Sequence, residues 1–146
     1  MPGVTPLLQR LLADDPDGLA RLAALVPSSR VCTLDADGVP VLCVEGRRLH
    51  STRDPQGEAR RFVRGLDLSE ATVVVLLGFG SGHVVRELAT RSDAKLVVFE
   101  PDLEALAVGV GHGEVPANVR VVSSPQRLGE LLYARLSGSD RGAIAR

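Results

Sequence analysis

The sequence has no long apolar segment and almost no net charge. No apolar run reaches the ~18 residues that a helix needs to cross a bilayer, and the N-terminus lacks the basic start and apolar core of a secretory signal. We therefore expect a cytoplasmic protein with no membrane partner. The 17 basic and 18 acidic residues leave a net charge of −1, which gives no reason to expect a nucleic-acid partner.

Cysteine is also scarce, and only Cys32 and Cys43 are present. They flank Asp37-Gly38, a pair typical of a type I′ hairpin turn, and a two-residue turn there would place the two thiols opposite each other. In a cytosolic chain we expect both thiols to be reduced and buried. No CxxC motif occurs, and the histidines at 50, 83 and 112 have no metal-ligand spacing, so no metal site is predicted.

The 146 residues predict one α/β domain, 1–146, in three parts. Residues 1–29 predict two helices and residues 30–45 a β-hairpin, which either extends the main sheet or forms a small sheet of its own. Residues 46–146 predict a Rossmann-like core, because apolar strands alternate with helices in a β-α-β-α-β-α order that favours a parallel sheet. The tail after Gly138 is predicted to be polar and frayed, with no further strand.

A glycine loop follows the first core strand and provides the candidate ligand site. Glycines let the backbone turn sharply, and the N-terminus of the next helix offers amides to an anion. Glu100 ends the following strand, where an acid can accept hydrogen bonds from a ribose. The candidate ligand-binding residues are Gly78, Phe79, Gly80, Ser81, Gly82, His83 and Glu100. The alternative is a turn that serves only close packing, with Glu100 capping the next helix.

The spacing of the glycines bears on the identity of the cofactor. The sequence leaves two candidates, a nucleotide and an S-adenosylmethionine-like ligand. The pattern G-x-G-x-G lacks the third glycine position of nicotinamide-binding folds and looks more like that of class I methyltransferases. Those usually carry an acid where this chain has Leu76, and another after the third strand, where it has Ser123-Ser124. No catalytic motif is present, so we predict no catalytic residue and, for this chain alone, no enzyme.

Arginine is concentrated in one segment. Between Arg47 and Arg64 lie six arginines against two acids, Asp54 and Glu58. This surplus is typical of a solvated helix face, but it could also meet an anionic ligand.

Two motifs resemble the N-terminal Rossmann-like domain of motility accessory factor (Maf) flagellin glycosyltransferases. Residues 49–59 read LHSTRDPQGEA, which resembles the family's LHS-x-x-DP-x-x-EA signature. Residues 77–83 read LGFGSGH and residues 97–102 read VVFEPD, similar to its glycine loop and FEPD motif. Together these motifs cover the middle third of the chain.

The resemblance implies a bacterial, cytoplasmic system that transfers nonulosonic acids from CMP-sugars to flagellin. Transfer is assigned to a central domain that this chain lacks, so we expect a fragment or a stand-alone copy with a non-catalytic ligand-binding or scaffold role. The expected partners are the remaining domains of a parent glycosyltransferase or a second copy, docked on an apolar patch of the first or last helix. His50, Ser51 and Arg53 would form an anion-binding mouth with the glycine loop, or serve only as the start of a helix. The alternative function is that of a small methyltransferase-like enzyme.

Overall fold

The computed structural model describes residues 4–136 and 142–145. Six helices and seven strands follow one another in these ranges, together with one short 3₁₀ turn, Val110–His112. The elements are α1 (Pro6–Leu11), α2 (Pro16–Ala23), β1 (Val31–Ala36), β2 (Val39–Val44), β3 (Arg47–Arg48), α3 (Pro55–Arg64), β4 (Val73–Leu77), α4 (His83–Arg91), β5 (Lys95–Phe99), α5 (Leu103–Gly109), β6 (Val119–Val122), α6 (Pro125–Leu136) and β7 (Gly142–Ala145).

The main sheet is parallel, with strand order β6-β5-β4-β7. Alternate residues of its strands belong to two buried clusters, one facing α1 to α5 and the other facing α6. Cover on both faces explains the continuous apolar runs of these strands. The predicted α/β, Rossmann-like class is confirmed. In the part of the chain that the structure describes, no helix combines the length and apolarity required to cross a membrane.

The prediction that no strand follows α6 is wrong. Residues 142–145 form β7, which pairs in parallel with β4 and extends the sheet by one strand. The backbone groups along that side of β4 would otherwise lack partners, and four residues are enough to pair with them. The sequence Gly-Ala-Ile-Ala is too short to show a strand period by itself. Residues 139–141 and 146 of the predicted tail lie outside the described residues.

The hairpin forms a small antiparallel sheet of its own with β3, a two-residue strand that the sequence did not predict. The predicted register is confirmed, with Cys32 opposite Cys43 and positive φ angles at Asp37 and Gly38 in the turn. The two cysteines are free, with no disulfide between them, but only Cys43 is buried. The expectation of a buried Cys32 is wrong, because β1 is an edge strand whose middle residues are largely exposed.

The first helix is part of the core and leaves no apolar patch for a partner. Leu8, Leu11 and Leu12 are each at most 1% exposed. The Arg10 guanidinium donates to the carbonyl groups of Val115 and Pro116 and so fixes the helix beside the segment before β6. The expected docking patch therefore does not lie on α1.

Candidate functional site

The glycine loop lies at the carboxyl end of β4 and leads into α4. Gly78, Gly80 and Gly82 have φ angles of 93°, 58° and 81°. These left-handed conformations strain any residue with a Cβ atom. The loop therefore needs its three glycines for backbone geometry, whether or not a ligand binds.

Four amides of this loop donate to partners within the protein. The Gly78 amide donates to the Phe99 carbonyl at 2.9 Å, and the Gly82 amide to the Phe79 carbonyl at 3.0 Å. The Ser81 amide donates to Nε2 of His50 at 3.1 Å, and the Phe79 amide to Oε1 of Glu100 at 3.2 Å. A phosphate at this loop would have to displace these partners, which argues against the anion cradle of nucleotide-binding folds.

Glu100 faces the protein's own backbone. Its side chain is buried, and Oε2 accepts a second hydrogen bond from the Asp102 amide at 3.1 Å. Burial raises the pKa of Glu100, and hydrogen bonds from the backbone of Asp102, Phe79 and Gly80 oppose that rise. This carboxylate connects the loop to the start of α5. Its position agrees with the alternative interpretation in the sequence analysis, in which Glu100 caps the next helix.

His50 lies against the loop, between β3 and α3. A Cβ atom on Gly80 would come within 2.5 Å of Nε2, so the second glycine is also needed for this close approach. Because the Ser81 amide donates to Nε2, the neutral ring carries its proton on Nδ1. Burial, together with the nearby charges of His83, Arg86 and His112, lowers the pKa of His50 to about 4, so the ring is neutral at neutral pH.

All three histidines converge around Arg86, a grouping that their sequence spacing did not reveal. The His83 and His50 rings meet edge to face with centroids 5.2 Å apart. Arg86 donates to Nδ1 of His83 and to the Ser81 carbonyl, each at 3.0 Å, while His83 Nε2 donates to the Pro40 carbonyl at 2.9 Å. His112 ends the 3₁₀ turn and contacts Thr33 of the hairpin. Within the described residues, no group of three or more His, Cys, Asp or Glu side chains is arranged to hold a metal ion.

Ser51 and Arg53 make local contacts at the start of α3. The Ser51 amide donates to Glu58, and the Ser51 hydroxyl accepts from the Arg53 amide, each at 3.2 Å. Asp54 caps the helix by accepting from the Gly57 amide. Of the three residues proposed for an anion-binding mouth, only His50 reaches the glycine loop.

A pocket of about 400 Å³ opens beside the loop, between α3, the start of α4 and the end of β4. Its walls are mainly apolar, and its two titratable side chains are His50 and Glu58. The lining residues are Leu49, His50, Glu58, Ala59, Phe62, Leu76, Leu77, Gly78, Phe79, Gly80 and Val84. No pattern in the sequence marked these residues as a group, so the pocket was not predicted.

The side chains around the loop do not fit S-adenosylmethionine in the manner of class I methyltransferases. Leu76 is buried and apolar where an acid would be needed. The backbone amide and hydroxyl of Ser123 both donate to the buried Asp15 carboxylate, at 2.8 and 2.5 Å. Glu100 is occupied by backbone amides. Leu76 thus offers no acceptor to a ribose, and Glu100 and Ser123 already bind groups of the protein itself.

Comparison with known proteins does not supply a family. No protein-family model matches the chain, and no curated protein matches its sequence significantly.

Proposed function

We propose that this chain is a non-catalytic scaffold domain of the Maf type, acting in the bacterial cytoplasm beside the domain that transfers nonulosonic acid to flagellin. The observation that carries the proposal is the contact between its two family-like motifs. His50 of the first motif accepts from Ser81 of the second, and Glu100 of the FEPD segment accepts from Phe79 in the same loop. The two family-like motifs thus contact each other in this chain, and this supports a structural role for their residues over a cofactor site.

Intact mass spectrometry of flagellin tests this proposal. Deleting the gene in its own bacterium should remove the nonulosonic acid from flagellin, and re-expressing the wild-type chain should restore it. Flagellin that keeps its full glycan mass in the deletion strain would contradict the proposed role.

The alternative is a methyltransferase-like enzyme, favoured by the three left-handed glycines and by an acid at the end of β5. The internal hydrogen bonds of Glu100 and of the loop amides speak against it. Calorimetric titration with S-adenosylhomocysteine and with CMP separates the two functions. We expect no heat of binding at millimolar ligand, whereas micromolar binding that Glu100→Ala abolishes would establish the alternative.

A further inference from the structure

The pocket beside the glycine loop has an apolar rim that reaches the surface. Leu49 and Leu77 line it and are 45% and 40% exposed, respectively. Large apolar side chains exposed at this level are few among the described residues, and the other two, Val26 and Tyr133, do not line this pocket. An apolar rim around a concave site is typical of a surface that receives a side chain from a partner protein.

Two polar atoms of the pocket residues make no hydrogen bond within the described part of the chain, and they lie close together. His50 Nδ1 carries a proton, and Oε1 of Glu58 is 3.9 Å away, which is too far for a hydrogen bond. The other oxygen of Glu58 already accepts from the Ser51 amide. The pocket therefore presents one donor beside one acceptor, and a peptide group, which has a C=O and an N–H, complements both.

The segment that builds the pocket wall also carries the arginine surplus. Leu49, His50 and Glu58 to Phe62 belong to the stretch between Arg47 and Arg64. Within the described part of the chain, its exposed arginines form no ion pair: Arg47, Arg48, Arg53, Arg60, Arg61 and Arg64. Unpaired charge of one sign beside an apolar pocket favours a partner of the opposite sign.

We propose that this pocket binds an acidic polypeptide segment, which inserts one large apolar side chain and pairs its backbone with His50 and Glu58. The proposal deepens the scaffold role and rests on it, because it identifies the surface through which the domain contacts its partner. The test measures peptide binding in vitro and does not depend on flagellin glycosylation. The peptide-binding proposal and the proposed scaffold function can therefore be contradicted independently of each other.

Titration of the ¹⁵N-labelled chain with capped tripeptides, followed by NMR, tests the proposal. Acetyl-Glu-Leu-Glu-amide should shift the amide signals of Leu49, Gly78 and Gly80. Acetyl-Glu-Ser-Glu-amide should bind about tenfold more weakly, because it lacks the buried apolar group. At low salt, acetyl-Lys-Leu-Lys-amide should bind more weakly than acetyl-Glu-Leu-Glu-amide by a similar factor. Added salt should reduce this difference in affinity.

Variants locate the site. Val84→Phe places a larger side chain at the pocket wall and should abolish binding. Val26→Phe, at an exposed residue that does not line this pocket, should leave it unchanged. If Val84→Phe disturbs the fold, Leu77→Ser at the exposed rim can be compared with Val26→Phe instead. We expect it to cause a smaller loss of peptide affinity.

Three results would overturn the proposal. They are equal binding of the leucine and serine peptides, shifts confined to residues outside the pocket, and phenol binding the pocket as tightly as the leucine peptide. The last result would indicate a small-molecule site.

Discussion

Glu100 accepts hydrogen bonds from the loop at the end of β4 and from the residue that caps α5. Replacing it with alanine leaves the Phe79 and Asp102 amides without their acceptor. Since an unsatisfied buried donor costs roughly 1–3 kcal/mol, Glu100→Ala should lower the free energy of unfolding by about 2 kcal/mol or more in a urea titration. Glu114→Ala, at an exposed position, is the control and should change it little. Equal effects of the two changes would contradict the assigned role.

His50 makes the stability of the fold depend on pH. Its folded-state pKa is about 4, below the ordinary value of 6.5, so the unfolded chain binds the proton more readily. The contribution of His50 to the free energy of unfolding is therefore fully present above about pH 6.5. It is lost as the pH drops toward 4, by on the order of 3 kcal/mol for the whole shift. The pKa values of His83 and His112 are also lowered, mainly by burial, and act in the same direction.

Glu100 acts in the opposite direction. Its pKa is raised, so its contribution to stability declines as the pH rises above the ordinary value of 4.5. Urea midpoints measured at several pH values should show a smaller acid-induced loss in His50→Gln than in the wild type. Parallel profiles for the two proteins would contradict the pKa assigned to His50.

At the scale of the elements, α5 approaches the glycine loop so closely that its last residue must be glycine. A Cβ atom on Gly109 would overlap the carbonyl oxygen of Gly80, whereas one on Gly111 would meet no atom within 4 Å. Gly109→Ala should lower the free energy of unfolding by about 2 kcal/mol, a typical cost of overpacking. Gly111→Ala, two residues later, should be neutral or slightly stabilising. A chemical denaturation curve for each variant measures the difference. Equal denaturation midpoints for Gly109→Ala and Gly111→Ala would contradict this packing.

The N-caps of α2 and α3 look alike in sequence, because each is an aspartate followed by proline, but they differ in burial. Asp15 is fully buried and also accepts from the backbone and side chain of Ser123, after β6. Burial would raise the pKa of Asp15, but these hydrogen bonds and that from Gly18 hold it below 3.8. Asp54 is exposed and accepts from Gly57.

Alanine substitution should separate the two caps. We expect Asp54→Ala to cost about 1 kcal/mol, as an exposed cap does, and Asp15→Ala to cost about 3 kcal/mol, because two further donors lose their acceptor. Thermal unfolding of the two variants measures the difference. A smaller loss for Asp15→Ala than for Asp54→Ala would show that the link to β6 contributes nothing.

Across the whole molecule, the glycine loop joins the two sheets. The hydroxyl of Ser81 accepts from the Leu42 amide in β2, and His83 donates to Pro40 in the same strand. Arg30, just before β1, forms a bidentate pair with Asp102 at the start of α5. The loop is thus a structural junction between the hairpin sheet and the Rossmann-like core.

The sequence predicted the elements of the core because their signals are local. The apolar run before Gly78, the Asp54-Pro55 helix start and the Asp37-Gly38 turn each fix the conformation of a few neighbouring residues. It did not predict that Arg86 and His112 lie beside His50 and His83, nor the buried partner of Asp15, because these depend on tertiary contacts between distant segments. For the same reason, it could not decide whether Glu100 faces a ligand or the loop.

In the glycine loop, side chains of the protein itself occupy the Phe79 and Ser81 amides. Amide hydrogen exchange of the ligand-free chain, followed residue by residue by NMR, measures this directly. We predict that the Phe79 and Ser81 amides exchange at least ~100-fold more slowly than in an unstructured chain. Rates close to those of an unstructured chain at both amides would contradict it, since the loop would then be open to an anion.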